Sequence, residues 1–265
     1  MLKGLSLFCI MLINGKYKPV CMIGQGTYSR VYKARHIEKN YDVAIKMSLK
    51  DNSISATLIQ HEINMYLILK KNKISNIVGI KAFGIFEDCP FLIMEYLPYG
   101  IEEYMASCLP DTQDKLINKM FSLLSLLHNH DIVHRDIKPD NFMISSKGTL
   151  YLIDLGLACV YDDCSKKNKN IIGTPLFCSY RIHQPSFHYE ARDDNLSLFY
   201  VIFYILSGGD LPWKSLCIKD NVKKSEITAL LKEHTHYGDY YNKYNNACLQ
   251  KWVKQYEHKC IQIQD

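Results

Sequence analysis

Residues 192–209 read RDDNLSLFYVIFYILSGG. Between Leu196 and Leu206 the side chains are apolar on every side of a helix. Such a helix is stable only when other elements surround it. Acids at its start suit a helix N-terminus, and Gly208 and Gly209 mark its end. The run is well short of the roughly 18 apolar residues that a membrane span needs. The chain must therefore build a sizeable helical layer around this one segment.

The sequence around it agrees. DKLINKMFSLLSLLHNH (114–130) is amphipathic, with Leu116, Ile117, Met120, Leu123, Leu124 and Leu127 toward one side. Before about residue 98 the pattern changes. YKPVCMIG, SRVYKARH and YDVAIKMS read as short strands separated by turns. SATLIQHEINMYLILKK has helical spacing at Leu58, Ile59, Ile63, Tyr66, Leu67 and Leu69. IVGIKAFGIF and PFLIMEYL return to strand, and NFMISS and LYLIDLG are short strand-like pieces among the later helices. The expectation is an α+β chain: a small β-rich lobe with one helix, then a larger helical lobe, with a hinge near Glu95–Gly100. At 265 residues and 48% hydrophobic content, one or two domains can form a core without covalent staples.

The net charge of +5 favours anionic partners only mildly. The lysines are scattered, and the arginines are only Arg30, Arg35, Arg135, Arg181 and Arg192. That is no nucleic-acid footprint. The ten cysteines include no C-x-x-C pair, although Cys159 and Cys164 are close in sequence. They read as reduced thiols of an intracellular, cytoplasmic or nuclear protein. The leading MLKGLSLFCIMLING lacks a small-residue cleavage site and is expected to run into the first strand as an extension over residues 1–14.

Four stretches carry chemistry. In IGQGTYSRVY, Gly24 and Gly26 let backbone approach an anion, and the strand that follows points to a lid over phosphates rather than a dinucleotide-binding unit. In VAIK, Lys46 shares a half-buried strand with apolar neighbours and needs a partner. Glu62, on the helix that follows, could neutralise it and aim its ammonium at phosphate oxygens. HRDIKPDN places Asp136, Lys138 and Asn141 in one loop. Asp136 can accept a hydroxyl proton, Lys138 can neutralise a moving phosphoryl group, and Asn141 can ligate a metal through its carbonyl. In YLIDLGLA, Asp154 interrupts an apolar strand, where a buried bare carboxylate costs several kcal/mol. Bound Mg²⁺ would offset that cost, with Asn141 as second ligand and the rest supplied by phosphate oxygens and water.

Gly24-x-Gly26, Val43-Ala44-Ile45-Lys46, Glu62, His134-Arg135-Asp136…Asn141 and Asp154-Leu155-Gly156 resemble the protein kinase superfamily in order and spacing, from about residue 15 to about 216. HRDIKPDNFMI, LYLIDLGLA, GTPLFCSYRIHQ and the 192–209 helix, with no Ala-Pro-Glu motif, resemble the casein kinase 1 group. The resemblance implies a bilobal fold: a β-rich N-lobe over 15–95 with one regulatory helix, and a helical C-lobe over 96–265. It implies a monomeric protein serine/threonine kinase that uses ATP and Mg²⁺ on protein substrates. A pseudokinase acting as a binding module is the alternative. It implies that Asp136, Lys138 and Thr174 act in catalysis. Ile23, Gly24, Gly26, Val31, Ala44, Lys46, Glu62, Met94, Glu95 and Leu97 would form the nucleotide site, with Asn141 and Asp154 on the metal. Asp194 would brace the catalytic-loop backbone. The sequence departs from the pattern at Leu155, where the family has Phe, and at Cys159 and Leu176, where the group has basic residues that read a phosphorylated substrate. Arg135 and Arg181 remain nearby, and the departures leave a preference for phosphorylated substrates open. The tail from Tyr240 matches the group poorly.

Overall fold

The structure is a computed structural model describing residues 12–72, 74, 77–161, 171–184, 187–216 and 221–263. The side chains of residues 222 and 259–263 are outside the description, as is the expectation for the apolar N-terminal stretch up to residue 11. The fold is α+β. The chain separates into two compact units, dividing at Pro98, with Ser145–Gly156 joining the first.

The first unit is built on an antiparallel sheet of β1 (Tyr17–Gln25), β2 (Ser29–His36), β3 (Asp42–Ser48), β4 (Ile80–Phe86) and β5 (Cys89–Glu95), in the order β1-β2-β3-β5-β4. Because side chains alternate along a strand, Val43, Ile45 and Met47 of β3 share one face with Phe91 and Ile93 of β5 and form a buried core. Helix α1 (Ser53–Lys71) starts where the Asn52 side chain accepts a hydrogen bond from the Ser55 amide, 2.8 Å. Its buried arc runs through Ile59, Glu62, Ile63, Tyr66 and Leu69. Leu67, expected on that stripe, is 40% exposed. The arc is centred one position away from the purely apolar pattern, because Glu62 occupies its middle.

The second unit contains α2 (Ile101–Ala106), α3 (Pro110–His128), α4 (Ala191–Leu206), α5 (Asn221–His234), α6 (Tyr237–Tyr241) and α7 (Ala247–Ile263). The short strands β6 (Tyr99–Gly100), β7 (Ile132–Val133), β8 (Phe142–Ile144) and β10 (Cys159–Val160) lie between them; β9 (Leu150–Leu152) belongs to the first unit. Helix α4 is the segment that had to be wrapped. Every residue from Leu196 to Phe203 is buried, and so are Asp193 and Asp194. The tail supplies much of the wrapping. Tyr256 of α7 meets Phe199 edge-on at 5.0 Å and Phe203 at 5.4 Å, and Trp252 stacks on Phe121 at 5.4 Å. Buried aromatic pairs of this kind add stability beyond their area. A tail that matches a motif poorly can still do this, since packing asks for volume and shape rather than identity.

Cys21, Cys89, Cys108, Cys178 and Cys248 are free thiols. Cys159 corrects the expectation of reduced cysteines, because it is disulfide-bonded. A disulfide needs Cβ atoms about 4 Å apart, which the path of the chain decides and motif spacing does not reveal. No helix among the described residues is long and apolar enough to cross a membrane.

Candidate functional site

The first unit brings together three charged residues that are distant in sequence. Lys46 Nζ lies 2.7 Å from Glu62 Oε2 and 2.7 Å from Asp154 Oδ1. Lys46 is buried by β3 and Glu62 by the centre of α1. Burial works against the ammonium, but Glu62 and Asp154 more than offset it and hold Lys46 firmly protonated. Burial pushes the Glu62 carboxyl up, with Lys46 opposing. Glu62 is only 1% exposed, so whatever it does for a ligand goes through the ammonium.

Asp154 differs from expectation. It is not a dry carboxylate in a strand: β9 ends at Leu152, and the Asp154 side chain is 34% exposed. Its backbone has φ +64°, in the left-handed region that side chains other than Gly seldom adopt. That turn takes the carboxylate out of the strand pattern. The side chain folds back on its own loop, where Asp154 Oδ1 accepts from the Gly156 amide at 3.2 Å. A Cβ at position 156 would stand 3.1 Å from that oxygen, a tight approach, which is why Gly suits this place. Leu155 between them is fully buried.

The sheet register collects most of the other expected residues. Gly24 opposes Val31, Val31 opposes Lys46, and Ala44 opposes Met94. Directly opposed residues share a face, as do residues two apart. Gly24, Val31, Ala44, Lys46 and Met94 therefore lie on one face, opposite to the Val43–Ile45–Met47 core. Ile23 is the extra residue of a bulge between Met22 and Gly24 and is 45% exposed. Glu95 opposes Val43 and so points its side chain to the other face, leaving only its backbone for this one. Leu97 is buried beyond the end of β5. Gly26 closes the β1–β2 turn, its amide donating to Ser29 O at 2.9 Å.

The second unit assembles the other set. Asp136 Oδ1 accepts from Thr174 Oγ1 and Asp136 Oδ2 from Lys138 Nζ, each at 2.6 Å. Asn141 Nδ2 donates to the Asp136 carbonyl at 2.8 Å, which fixes the loop and leaves the amide oxygen of Asn141 pointing elsewhere. Two carboxylate oxygens are thus held by an ammonium and a hydroxyl.

Beneath this loop Asp194 does what the resemblance implied. Its Oδ2 accepts from the His134 amide at 2.8 Å, its Oδ1 from the Arg135 amide at 2.9 Å. Tyr189 Oη donates at 3.0 Å and His128 Nε2 at 3.0 Å. Burial alone would raise its pKa, yet the His128 and His134 donors hold it below the ordinary carboxylate value. These bonds retain Arg135 at φ +68°, a costly conformation for a side chain of that size. The sequence offered no sign of His128 or Tyr189 in this role. His128 reads as an ordinary residue of a helix end, and Tyr189 as a loop aromatic.

The two arginines left for reading a phosphorylated substrate are both committed elsewhere. Arg135 Nε donates to Leu157 O at 2.6 Å. Arg181 donates to Asp193 at 2.9 Å and Glu190 at 3.0 Å. Counting basic residues in the sequence could not foresee this, because Arg135 finds a backbone carbonyl and Arg181 finds acids at the start of α4.

Gly173 was also missed. It has φ +89°, and a Cβ there would collide with the Arg135 carbonyl. Gly173→Ala should therefore displace the neighbouring Thr174. A Tm lower by several degrees, roughly 1–3 kcal/mol, is expected in a thermal melt, together with loss of the Thr174–Asp136 bond.

The family model for the protein kinase domain matches residues 17–263, which includes the tail that the motif reading left out. With that match across nearly the whole chain, the protein belongs to the protein kinase domain family.

Proposed function

We propose that the protein is an active serine/threonine kinase, with residues 15–265 as one catalytic domain, transferring the γ-phosphoryl of ATP to hydroxyls of protein substrates. The observation that carries this reading is Asp136, gripped by Lys138 and Thr174 at 2.6 Å each. In the transfer, a new bond forms between the substrate oxygen and phosphorus while the bond to the leaving diphosphate breaks. Asp136 orients the attacking hydroxyl and takes its proton. Lys138 offsets charge on the moving group. Lys46, kept protonated and aimed by Glu62, binds the non-transferred phosphates.

The donor set fits magnesium. Asp154 and Asn141 would supply oxygen ligands of the kind Mg²⁺ prefers, and phosphates would complete the set. When bound, the ion would neutralise charge on the phosphates. Among the described residues no cluster of three or more His, Cys, Asp or Glu could hold a metal alone. The glycine loop fits phosphates for a further reason. Neither Gly24 nor Gly26 has positive φ, and a Cβ at either would meet only ordinary contacts at 3.7 Å or beyond. The fold itself does not require glycine there, which supports a role toward a group outside the chain.

Within the family, the reading proposed is a kinase similar to the casein kinase 1 group. The missing Ala-Pro-Glu motif and the GTPLFCSYRIHQ and RDDNLSL stretches support it. With Arg135 and Arg181 engaged, recognition of an already phosphorylated residue does not rest on them. Leu155 is fully buried, so it serves as packing and does not make the site inert.

Asp136→Asn tests the role of the base. The amide keeps the size but cannot accept the proton, and turnover is expected to fall on the order of 10²-fold. Radiolabel transfer from ATP to casein measures it; turnover near wild type would remove Asp136 from the mechanism.

A further inference from the structure

Lys232, in the last turn of α5, is fully buried. A buried ammonium costs several kcal/mol unless its surroundings compensate. Among the described residues no carboxylate is bonded to it. Its three protons meet three acceptors: Pro175 O at 2.8 Å, Cys178 O at 2.5 Å and His183 Nε2 at 3.1 Å. The rings of Tyr200 and Trp213 lie 5.4 Å from the nitrogen on other sides. Burial lowers the lysine pKa to about 8. With Nε2 of His183 facing the ammonium, the ring proton belongs on Nδ1, which donates to Ser225 Oγ at 2.9 Å. Burial keeps His183 neutral, its pKa lowered to about 3.

The carbonyls that Lys232 holds belong to one turn. Phe177 and Cys178 both donate their amides to Thr174 O at 2.9 Å, so residues 174–178 form a single helical turn. Pro175 O and Cys178 O, three residues apart, project from the same side of it. Trp213 Nε1 ties the Leu176 carbonyl at 2.8 Å. From its start, Thr174 reaches Asp136.

We propose that Lys232 is a positioning residue: by bridging Pro175 O and Cys178 O it sets the placement of the 174–178 turn, and through it the bond from Thr174 to Asp136. The catalytic part of this inference rests on the kinase reading above; the anchoring part does not. The distance between Lys232 and Asp136 in sequence hides the link, and a lysine in a polar helix reads as a solvated charge.

The test uses the full chain with Lys232→Met, which keeps the length and removes the donors. Hydrogen exchange of the 174–183 peptide is expected to speed up at least tenfold, while that of α4 stays unchanged. In steady-state kinetics kcat is expected to fall about tenfold, with KM for ATP within twofold. The same substitution in a Thr174→Ala background is expected to cost no further kcat, since both act through one bond. A purely structural lysine would give multiplying losses, which would overturn the proposal, as would unchanged exchange in the 174–183 peptide. If Lys232→Met does not fold, His183→Phe removes one acceptor and should give the same pattern at smaller size; full protection and full kcat there would also overturn it. An inactive wild type with exchange changed by Lys232→Met would defeat the kinase reading and leave the anchor standing.

Discussion

Asp154→Ala is expected to remain folded and to lose phosphoryl transfer by on the order of 10³-fold or more. Both halves follow from geometry. The Asp154 side chain is 34% exposed, and Lys46 keeps its second partner, Glu62, at 2.7 Å. Removing the carboxylate therefore leaves no buried charge unpaired. What disappears is the one acidic oxygen donor proposed for the metal. Lys46→Met makes an instructive comparison. It should also silence transfer, but it strands Glu62, 1% exposed, without its cation. Glu62 then escapes its charge by taking up a proton, at a cost in stability that Asp154→Ala does not share. Radiolabel transfer, read beside a thermal melt of each variant, checks the pair. Transfer at wild-type rate in Asp154→Ala would sink the proposed chemistry and leave a binding module.

The largest effect on stability is expected at Asp194→Ala. Asp194 is fully buried and accepts from the His134 and Arg135 amides, His128 and Tyr189. Alanine leaves all four donors without a partner inside the core. The expected loss is about 3–5 kcal/mol, which for a domain of this size lowers Tm by on the order of 10 °C. Activity should fall further than the melt explains, because Arg135 then loses the amide bond that holds its left-handed backbone beside Asp136. Asp194→Asn should recover part of the loss, since an amide oxygen still accepts. A melt unchanged in Asp194→Ala would remove the brace from the account. The acid side offers a check. The folded pKa of Asp194 is depressed, so its stabilisation is full above the unfolded value near 4 and fades as pH falls through the lower folded one.

Much of this was legible because it depends on local pattern. Strand and helix periods, the apolar wrap of α4 and the residue types of the glycine loop, the HRDIKPDN loop and the Asp-Leu-Gly turn are all statements about neighbours in sequence. They were enough to nominate Lys46, Asp136, Asn141 and Asp154 and to expect a β-rich part followed by a helical one. Glu62 was nominated as a partner for Lys46, but its place at the centre of the buried arc of α1 was not visible, because the apolar pattern counts a carboxylate as an interruption.

The residues that were missed share another property: each owes its role to a partner that only the folded chain brings to it. His128 and Tyr189 matter because α4 brings Asp194 to them. Arg181 is spent on Glu190 and Asp193, Cys159 is joined through a disulfide, and Lys232 finds its acceptors in a turn more than fifty residues earlier. By itself the sequence determined which groups were available and how each segment would coil or extend, since backbone sterics and apolar periodicity act over a few residues. Only the tertiary structure decided which charges are neutralised by which partner, because a buried ion is tolerated solely where the packed chain delivers its hydrogen-bonding complement.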